Sequence, residues 1–342
     1  MKSASSSQRA LGPDRSGARV SRRQLIGTAA ATGGLLAAQQ AGAAPLLRPS
    51  LQDAATPEAA GEPGGELVYA LTNRFDTLDP NITTFSDVLR MARHIFDPLV
   101  EQPTPGEFIP ALATSWEVND TADVYTFELR DDVTFHDGTP FDAEAVKFTL
   151  DRIVDPELLS QSAISLLGPY ASSEVLSPTS IAVTFNTPYA PFLNSVSQPP
   201  LSTVSPAAVE AAGVDFGLKP VGTGPFMVDS YEVDAQVRLV RNPDYIWAPD
   251  SFGHQGPAYL DAITWRIIPE PGTRLAALQS GEVHIIQDVP TQDYATVSAD
   301  GSLQLLEAVM TGSGWSMMMN VTKPPTDDLL VRQALSWGVD RE

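Results

Sequence analysis

The 342-residue chain contains no cysteine. That excludes disulfides, a thiol nucleophile and thiolate metal ligands, and it removes the cysteine to which a lipid anchor would be attached after an export signal. Basic residues are scarce: 21 Lys and Arg face 42 Asp and Glu, a net charge of −21. Phosphate binding needs clustered Lys and Arg, so the balance argues against a nucleic-acid partner. The 4 histidines (His94, His136, His254, His284) lie far apart, and no His-Glu-x-x-His pattern joins any two. No metal site or cofactor is expected from that set. Past residue 43 no run approaches the roughly 20 apolar residues of a membrane helix.

Catalytic signatures are missing too. No Gly-x-Ser-x-Gly elbow occurs, and "TGSGW" at 311–315 does not fit one. His136-Asp137 reads as part of a turn. The acids of "RDDVTFHDG" do not follow calcium-loop spacing. Gly222-Thr223-Gly224 lacks the pattern and the lysine of a phosphate cradle. A carboxylate pair for sugar hydrolysis remains open, because many acids are available and none is singled out. No catalytic residue is therefore assigned, and the protein is read as not an enzyme.

What is present begins at the amino terminus. Residues 1–43 hold Lys2, Arg9, Arg15, Arg19, Arg22 and Arg23 against Asp14 alone, and without them the chain keeps 15 basic and 41 acidic residues, a net −26. Arg22-Arg23 follow Ser21 and precede Gln24-Leu25-Ile26, the twin-arginine pattern of an export signal. The apolar stretch Leu25 to Ala38 is too short and too rich in Gly and Ala to span a bilayer. Ala41-Gly42-Ala43 supplies a small-residue cleavage site. The mature protein is expected outside the cytoplasm, in the periplasm or the extracellular space. Residues 44–64 carry Pro45, Pro49, Pro57 and Pro63 without periodic pattern and read as a disordered linker.

Folded sequence starts at Gly65. "GELVYALT" predicts a strand. "FSDVLRMARHIF" predicts a helix with Ser86 as N-cap and Leu89, Ala92, Ile95 and Phe96 on one face. In "VYTFELRDD" the alternation of Tyr125, Phe127 and Leu129 predicts a half-buried strand. Asp137-Gly138 marks a tight turn. "FDAEAVKFTLDRIV" predicts a helix capped by Asp142, with Val146, Leu150 and Ile153 inward. Ile181, Val183 and Phe185 alternate in another strand. "SPAAVEAAG" has Ser205 as N-cap, Pro206 first and Gly213 as stop. "PFMVDSY" and "AQVRLVRNPDY" predict paired strands, and "AITWRIIPE" a further one. From Pro269 the pattern changes to helix then strand in "GTRLAALQSGEVHII". Strands are expected through "SLQLLEAV" and "GWSMMMNV", with the methionines packed in a core. A helix is expected in "DDLLVRQALSWGVDRE". An α/β unit that starts near 269 and stops at 342 has few strands for a sheet, so an incomplete second lobe is expected.

Taken in order, several blocks resemble one family. They are "TLDPNITT", "ALATSWEVND…YTFELRDDVTFHDGTPFDAEAVKFTLDRI", "PVGTGPFMVDSY", "VRLVRNPDYIW", "LAALQSGEVHII" and "DDLLVRQALSWGVDRE". Together they are similar to the extracytoplasmic solute-binding proteins of ABC transporters, family 5, the class with oligopeptide-, dipeptide- and nickel-binding members. The resemblance implies an α/β fold of the two-lobe periplasmic-binding-protein kind (type II), with an extra β-rich domain in the first lobe. Mapped here, the first lobe takes residues 65–100 and 174–268, the extra domain 101–173, and the second lobe starts at 269. It implies capture of a small solute between the lobes and delivery to a membrane permease, by a monomer. Peptides come first; nickel chelates, opines and oligosaccharides are the alternatives inside the class.

The resemblance also points to contact residues. The segment after "LDP" offers backbone groups to ligand as an added strand would, here Asn81, Ile82, Thr83, Thr84, Phe85 and Ser86, with the last four singled out as contacts. Phe148 matches an aromatic position turned into the cleft in some members, with core packing as the alternative. Thr223, between two glycines, exposes backbone N–H groups to ligand or forms a plain turn. Trp315 is an aromatic wall or core. Two readings from other classes stay open: a secreted hydrolase with an unrecognised carboxylate site, and a non-binding piece of a longer protein.

Overall fold

The computed structural model describes residues 63–306 and 317–339. The segment expected to be an export signal, the expected linker up to residue 62 and Trp315 lie outside the described residues. Strand β1 is Glu66–Leu71 and helix α1 is Ser86–Ile95. Next come β2 (Val100–Thr104), β3 (Glu107–Pro110), β4 (Ala113–Val118) and β5 (Val124–Leu129). Helices α2 (Ala143–Val154) and α3 (Ser162–Leu167) precede β6 (Tyr170–Ser177) and β7 (Ser180–Phe185). Then follow α4 (Phe192–Val196), α5 (Pro206–Ala212), β8 (Phe226–Glu232), β9 (Gln236–Arg241) and β10 (Ala262–Ile267). The last elements are α6 (Pro271–Gln279), β11 (Ile285–Ile286), α7 (Tyr294–Ala299) and α8 (Leu329–Trp337).

Two sheets organise the chain. One has five strands in the order β11-β1-β10-β9-β8; β1 runs parallel to both neighbours, and the other pairs are antiparallel. The other is antiparallel, in the order β4-β5-β7-β6. β2 and β3 form a separate hairpin. Residue 173 falls inside β6, and both β6 and β7 pair within the antiparallel sheet, so residues 174–185 are built into that sheet. Past 269, β11 joins the five-stranded sheet beside β1.

The side chains explain these layers. On β5, Tyr125, Phe127 and Leu129 are buried, and on β7 so are Ile181, Val183 and Phe185. They meet Val146, Leu150 and Ile153 of α2 and the Phe192 ring in one core. A second core lies between α1 and the five-stranded sheet, built on Leu71, Val88, Met91, Ile95, Leu239 and Trp265. A small third one, with Ala70, Ile268, Ala277 and Val283, fills the opposite face under α6. Each fully buried Leu, Ile or Phe contributes about 1.5–3 kcal/mol.

Caps explain the helix starts. Asp142 accepts from the N–H of Ala145 at 3.0 Å, and Ser205 from that of Ala208 at 3.2 Å. Gly213 stops α5 with φ +54, a backbone angle costly for other residues. Two expectations shift at α1. Ser86 is its first helical residue, not its cap, because the Thr83 hydroxyl turns the chain by accepting from the N–H of Phe85 at 3.1 Å. Its buried face is Val88, Met91, Ala92 and Ile95, and Leu89 is only half-buried. Ala92, Ile95 and Phe96 are buried as expected, and contact with the sheet takes Val88 and Met91 in place of Leu89.

The strands expected near 302–309 and 314–321 do not form in their described parts, 302–306 and 317–321. Met317 and Met318 are exposed instead of packed in a core. No described strand lies beside them to pair with. α8 does form, with Asp328 accepting from the N–H of Leu330 at 2.8 Å. Its Leu329, Leu330, Leu335 and Trp337 are exposed.

Candidate ligand site at the carboxyl ends of the parallel strands

β10, β1 and β11 run the same way. The link from β10 to β11 passes over β1 through α6 on the face of the third core, and β1 leaves toward α1 on the other face. The carboxyl end of β1 is thus a point where connections part to opposite faces, where open α/β sheets take ligands. An open hollow of about 460 Å³ lies there, lined by Thr72, Asn73, Arg74, Asp234, Ile267 and Pro269.

Hydrogen bonds join this hollow to the start of α1 and to the exit of β11. Thr72 Oγ1 donates to Asp288 Oδ2 at 3.2 Å. Asn73 Nδ2 donates to Asp87 Oδ2 at 3.3 Å, and Arg90 Nη1 to Asp87 Oδ1 at 3.2 Å. Burial raises the Tyr69 phenol pKa, and the neighbouring Arg90 opposes that shift. The edge is therefore a mixed surface of carboxylates, amide and guanidinium groups. Such a surface can hold a polar solute.

The segment expected to touch ligand lies on this edge. Thr83 is fully buried, and its hydroxyl donates to Asp76 Oδ1 at 2.8 Å. Thr84 and Ser86 are exposed, and Phe85 keeps 43% of its surface open. A buried network beneath makes the segment rigid. Arg152 pairs with Asp79, and its Nη1 donates to Asn81 Oδ1 at 2.8 Å. Asn81 Nδ2 donates to the carbonyls of Pro200 at 2.9 Å and Ser202 at 3.3 Å, and Ser160 Oγ donates to the Asn81 carbonyl at 2.8 Å. Sequence reasoning missed Asp79 and Arg152, and it read Asn81 as part of the ligand-contacting segment, whereas the side chain is buried in this network. "LDPN" signalled a turn, but nothing marked the arginine 71 positions after Asn81 as its partner.

The other candidates sit elsewhere. Phe148 is half-buried against the second core. It lines a different hollow of about 330 Å³ with Thr139, Pro140, Asp142, Glu144, Ala145, Pro206 and Ala207. That hollow shares no residue with the one at the strand ends. Thr223 is fully buried: its hydroxyl donates to Asp97 Oδ2 at 2.9 Å, and its carbonyl accepts from Trp247 Nε1 at 3.1 Å. The N–H groups of Gly222 and Gly224 are spent on His136 Nδ1 at 3.3 Å and on the Ile95 carbonyl at 2.8 Å. Thr223 thus belongs to a knot around Asp97, which also accepts from Tyr245 at 2.9 Å and Trp247 at 3.1 Å. Burial raises the Asp97 pKa, and these donors oppose the rise.

His136 belongs to the same knot. Nδ1 accepts from Gly222, so Nε2 carries the proton and donates to the Gly224 carbonyl at 2.9 Å. Burial pushes its pKa down from 6.5 to about 4. Between those values the unfolded chain takes up a proton that the folded chain refuses. Stability is therefore lost as pH falls from 6.5 to about 4, by up to about 3 kcal/mol. Urea unfolding across that range should show a steeper loss for the wild type than for His136→Gln. Equal slopes would refute the assignment.

Among the described residues no cluster of His, Asp and Glu could hold a metal ion. Among them also, no helix is long and apolar enough to cross a membrane.

Residues 107–342 match the family described as bacterial extracellular solute-binding proteins, family 5, middle region. Over 276 residues the chain is 32% identical to the glutathione-binding protein GsiB of Escherichia coli K12, covering 81% of this chain and 52% of that one. The same protein from Salmonella paratyphi A is 32% identical over 277 residues, with the same coverage. Among solved structures, the periplasmic binding protein DppA of Helicobacter pylori, in complex with peptide STSA, superposes with a TM-score of 0.62 at 29% identity, covering 70% of this chain and 50% of that one. The binding protein MoaA of A. tumefaciens R10, in complex with mannopinic acid, gives 0.70 at 26%, covering 82% and 56%. The chain spans about half the length of the curated relatives it matches. Its fold is the type II periplasmic-binding fold, and the chain belongs to the bacterial extracellular solute-binding proteins of family 5.

Proposed function

We propose that this chain belongs to the solute-capturing component of an ABC importer, exported through the twin-arginine route and acting in the cell envelope as a monomer that hands its ligand to a membrane permease. The observation that carries the proposal is the carboxyl edge of β1, β10 and β11. It offers an open polar hollow beside a rigid, exposed segment at Thr84–Ser86. In this reading the five-stranded sheet, with α6 and β11, is the framework of the first lobe, the antiparallel sheet is the extra domain, and the second lobe begins past β11 and not at 269. Ligand bridging two lobes stabilises a closed form, so capture needs no covalent chemistry.

Peptides are the favoured ligand class. A relative is named for glutathione, itself a tripeptide, and a solved structure of the family holds peptide STSA. The N–H groups of Thr83 and Phe85 are spent on the Asp79 carbonyl at 3.1 Å and on Thr83 Oγ1 at 3.1 Å, so an extended peptide would meet the exposed Thr84, Phe85 and Ser86 mainly through their side chains and the Thr84 backbone. Mannopinic acid in a second structure keeps opines as the alternative.

The test is a thermal-shift scan of the full-length mature protein against di- to pentapeptides, opines, nickel chelates and oligosaccharides. A ligand at about 100 times its Kd adds about 2.7 kcal/mol to the native state. A shift with peptides alone supports the proposal. Cooperative melting that moves with none of these classes overturns it, and turnover of a chromogenic ester or glycoside would replace it with the hydrolase reading.

A further inference from the structure

Arg274 of α6 is 1% exposed, the largest fully buried side chain among the described residues. All its hydrogen bonds go to backbone carbonyls. Nη1 donates to Ile268 O at 2.7 Å and to Pro269 O at 3.2 Å. Nε donates to Gln287 O at 2.7 Å and Nη2 to Asp288 O at 3.0 Å. Glu270, four positions earlier, caps α6, accepting from the N–H of Thr273 at 2.5 Å, and makes no hydrogen bond to the guanidinium. One guanidinium thus spans two separate chain segments: the exit of β10 and the exit of β11.

Those exits flank the carboxyl end of β1, and β1 binds both of them. The N–H of Ile268 donates to Leu71 O at 2.9 Å, and that of Gln287 to Ala70 O at 3.0 Å. Beyond Gln287 the chain bends at Asp288, whose φ of +55 is costly for a residue other than glycine. The Arg274 bond to the Asp288 carbonyl holds that bend, and Asp288 then accepts from Thr72 on the rim of the hollow.

We infer that Arg274 is a positioning residue of the candidate site, tying the exits of β10 and β11 together behind β1 and so fixing Pro269 and Asp288 on the site's edge. Its bearing on ligand rests on the function proposed above; the tie itself does not. Only arginine suits the task. Its planar fork carries five donors pointing in different directions, whereas lysine carries three on one nitrogen and cannot serve both segments at once.

Amide hydrogen exchange, resolved by residue, tests this on the full-length protein and its Arg274→Lys and Arg274→Met variants. In both variants the amides of Ile268 and Gln287 should exchange about tenfold faster or more, while Phe127 and Val183 of the antiparallel sheet keep their wild-type rates. Unchanged rates at 268 and 287 overturn the inference. So does equal acceleration in both sheets, which makes Arg274 a general stabiliser. Should Met prevent folding, the Lys variant decides. Calorimetric titration with glutathione and the Ser-Thr-Ser-Ala tetrapeptide adds the functional readout: whichever probe the wild type binds should bind Arg274→Lys about tenfold more weakly. Local acceleration with unchanged affinity overturns the positioning role. A wild type that binds neither probe counts against peptide capture, and the exchange rates still decide the tie.

Discussion

Replacing Arg152 by methionine should lower folding stability by about 3–5 kcal/mol, the cost of stranding one partner of a buried ion pair. Asp79 is 1% exposed at its side chain and Arg152 11%, so water cannot take over the lost contacts. The guanidinium also bonds Asn81 and lies over the Phe216 ring, 5.5 Å from its centroid. The paired change, Arg152→Met with Asp79→Asn, should cost less than the sum of the two singles, because each single leaves an unmatched group that the double removes. Denaturant melts of the four proteins give the coupling directly. A single-variant loss below about 1 kcal/mol would mean the pair behaves like a surface salt bridge and does not anchor the loop. The same loop carries Thr84, Phe85 and Ser86, so ligand affinity should fall even where the variant still folds.

That network shows where the sequence ceased to be readable. Elements whose determinants are local were legible. The caps Asp142 and Ser205, the stop at Gly213 and the alternations in β5 and β7 each act within a few residues. The Asp137-Gly138 turn was legible for the same reason, and the N–H of Gly138 donates to Phe135 O at 2.8 Å. Thr223 was ambiguous because its role depends on partners far away in the chain: Asp97, Tyr245 and Trp247. Nothing in the sequence marked Arg274, and only the fold shows that it reaches both strand exits. On α1 the expected Ala92, Ile95 and Phe96 are buried, and only Leu89 yields its place to Val88. Val88 and Leu89 fit a helical stripe equally well, and the orientation of the sheet makes the choice. The position of the hollow follows from strand order, which pairs β1 with strands about 200 residues later in the chain.

Gly222→Ala and Gly224→Ala should each cost about 3 kcal/mol or more, because the added methyl group meets backbone that cannot yield. A Cβ at 222 would stand 2.2 Å from the Ile95 carbonyl oxygen and 2.5 Å from Phe96 Cδ1. One at 224 would stand 2.6 Å from the Ile95 carbonyl carbon and 2.7 Å from the His94 oxygen. Both glycines therefore let this loop lie directly on the last turn of α1. Relief requires moving α1 or breaking the bond from Gly224 N–H to the Ile95 carbonyl, and with it the knot that holds His136 and Asp97. Gly301→Ala is the control, since a Cβ there meets nothing within 4 Å. At about 2–4 °C per kcal/mol, thermal melts should place the two variants far below the wild type and the control close to it. Melts of all three variants within about 2 °C of the wild type would show that the loop can lift from α1 freely. If instead the loop is fixed as described, the loss carries into function. α1 is pinned at its end by these glycines and at its start by Thr83, so a shift at Ile95 moves the Thr84–Ser86 edge as well. Weaker ligand binding should then accompany the lower melting point in both variants and be absent from Gly301→Ala.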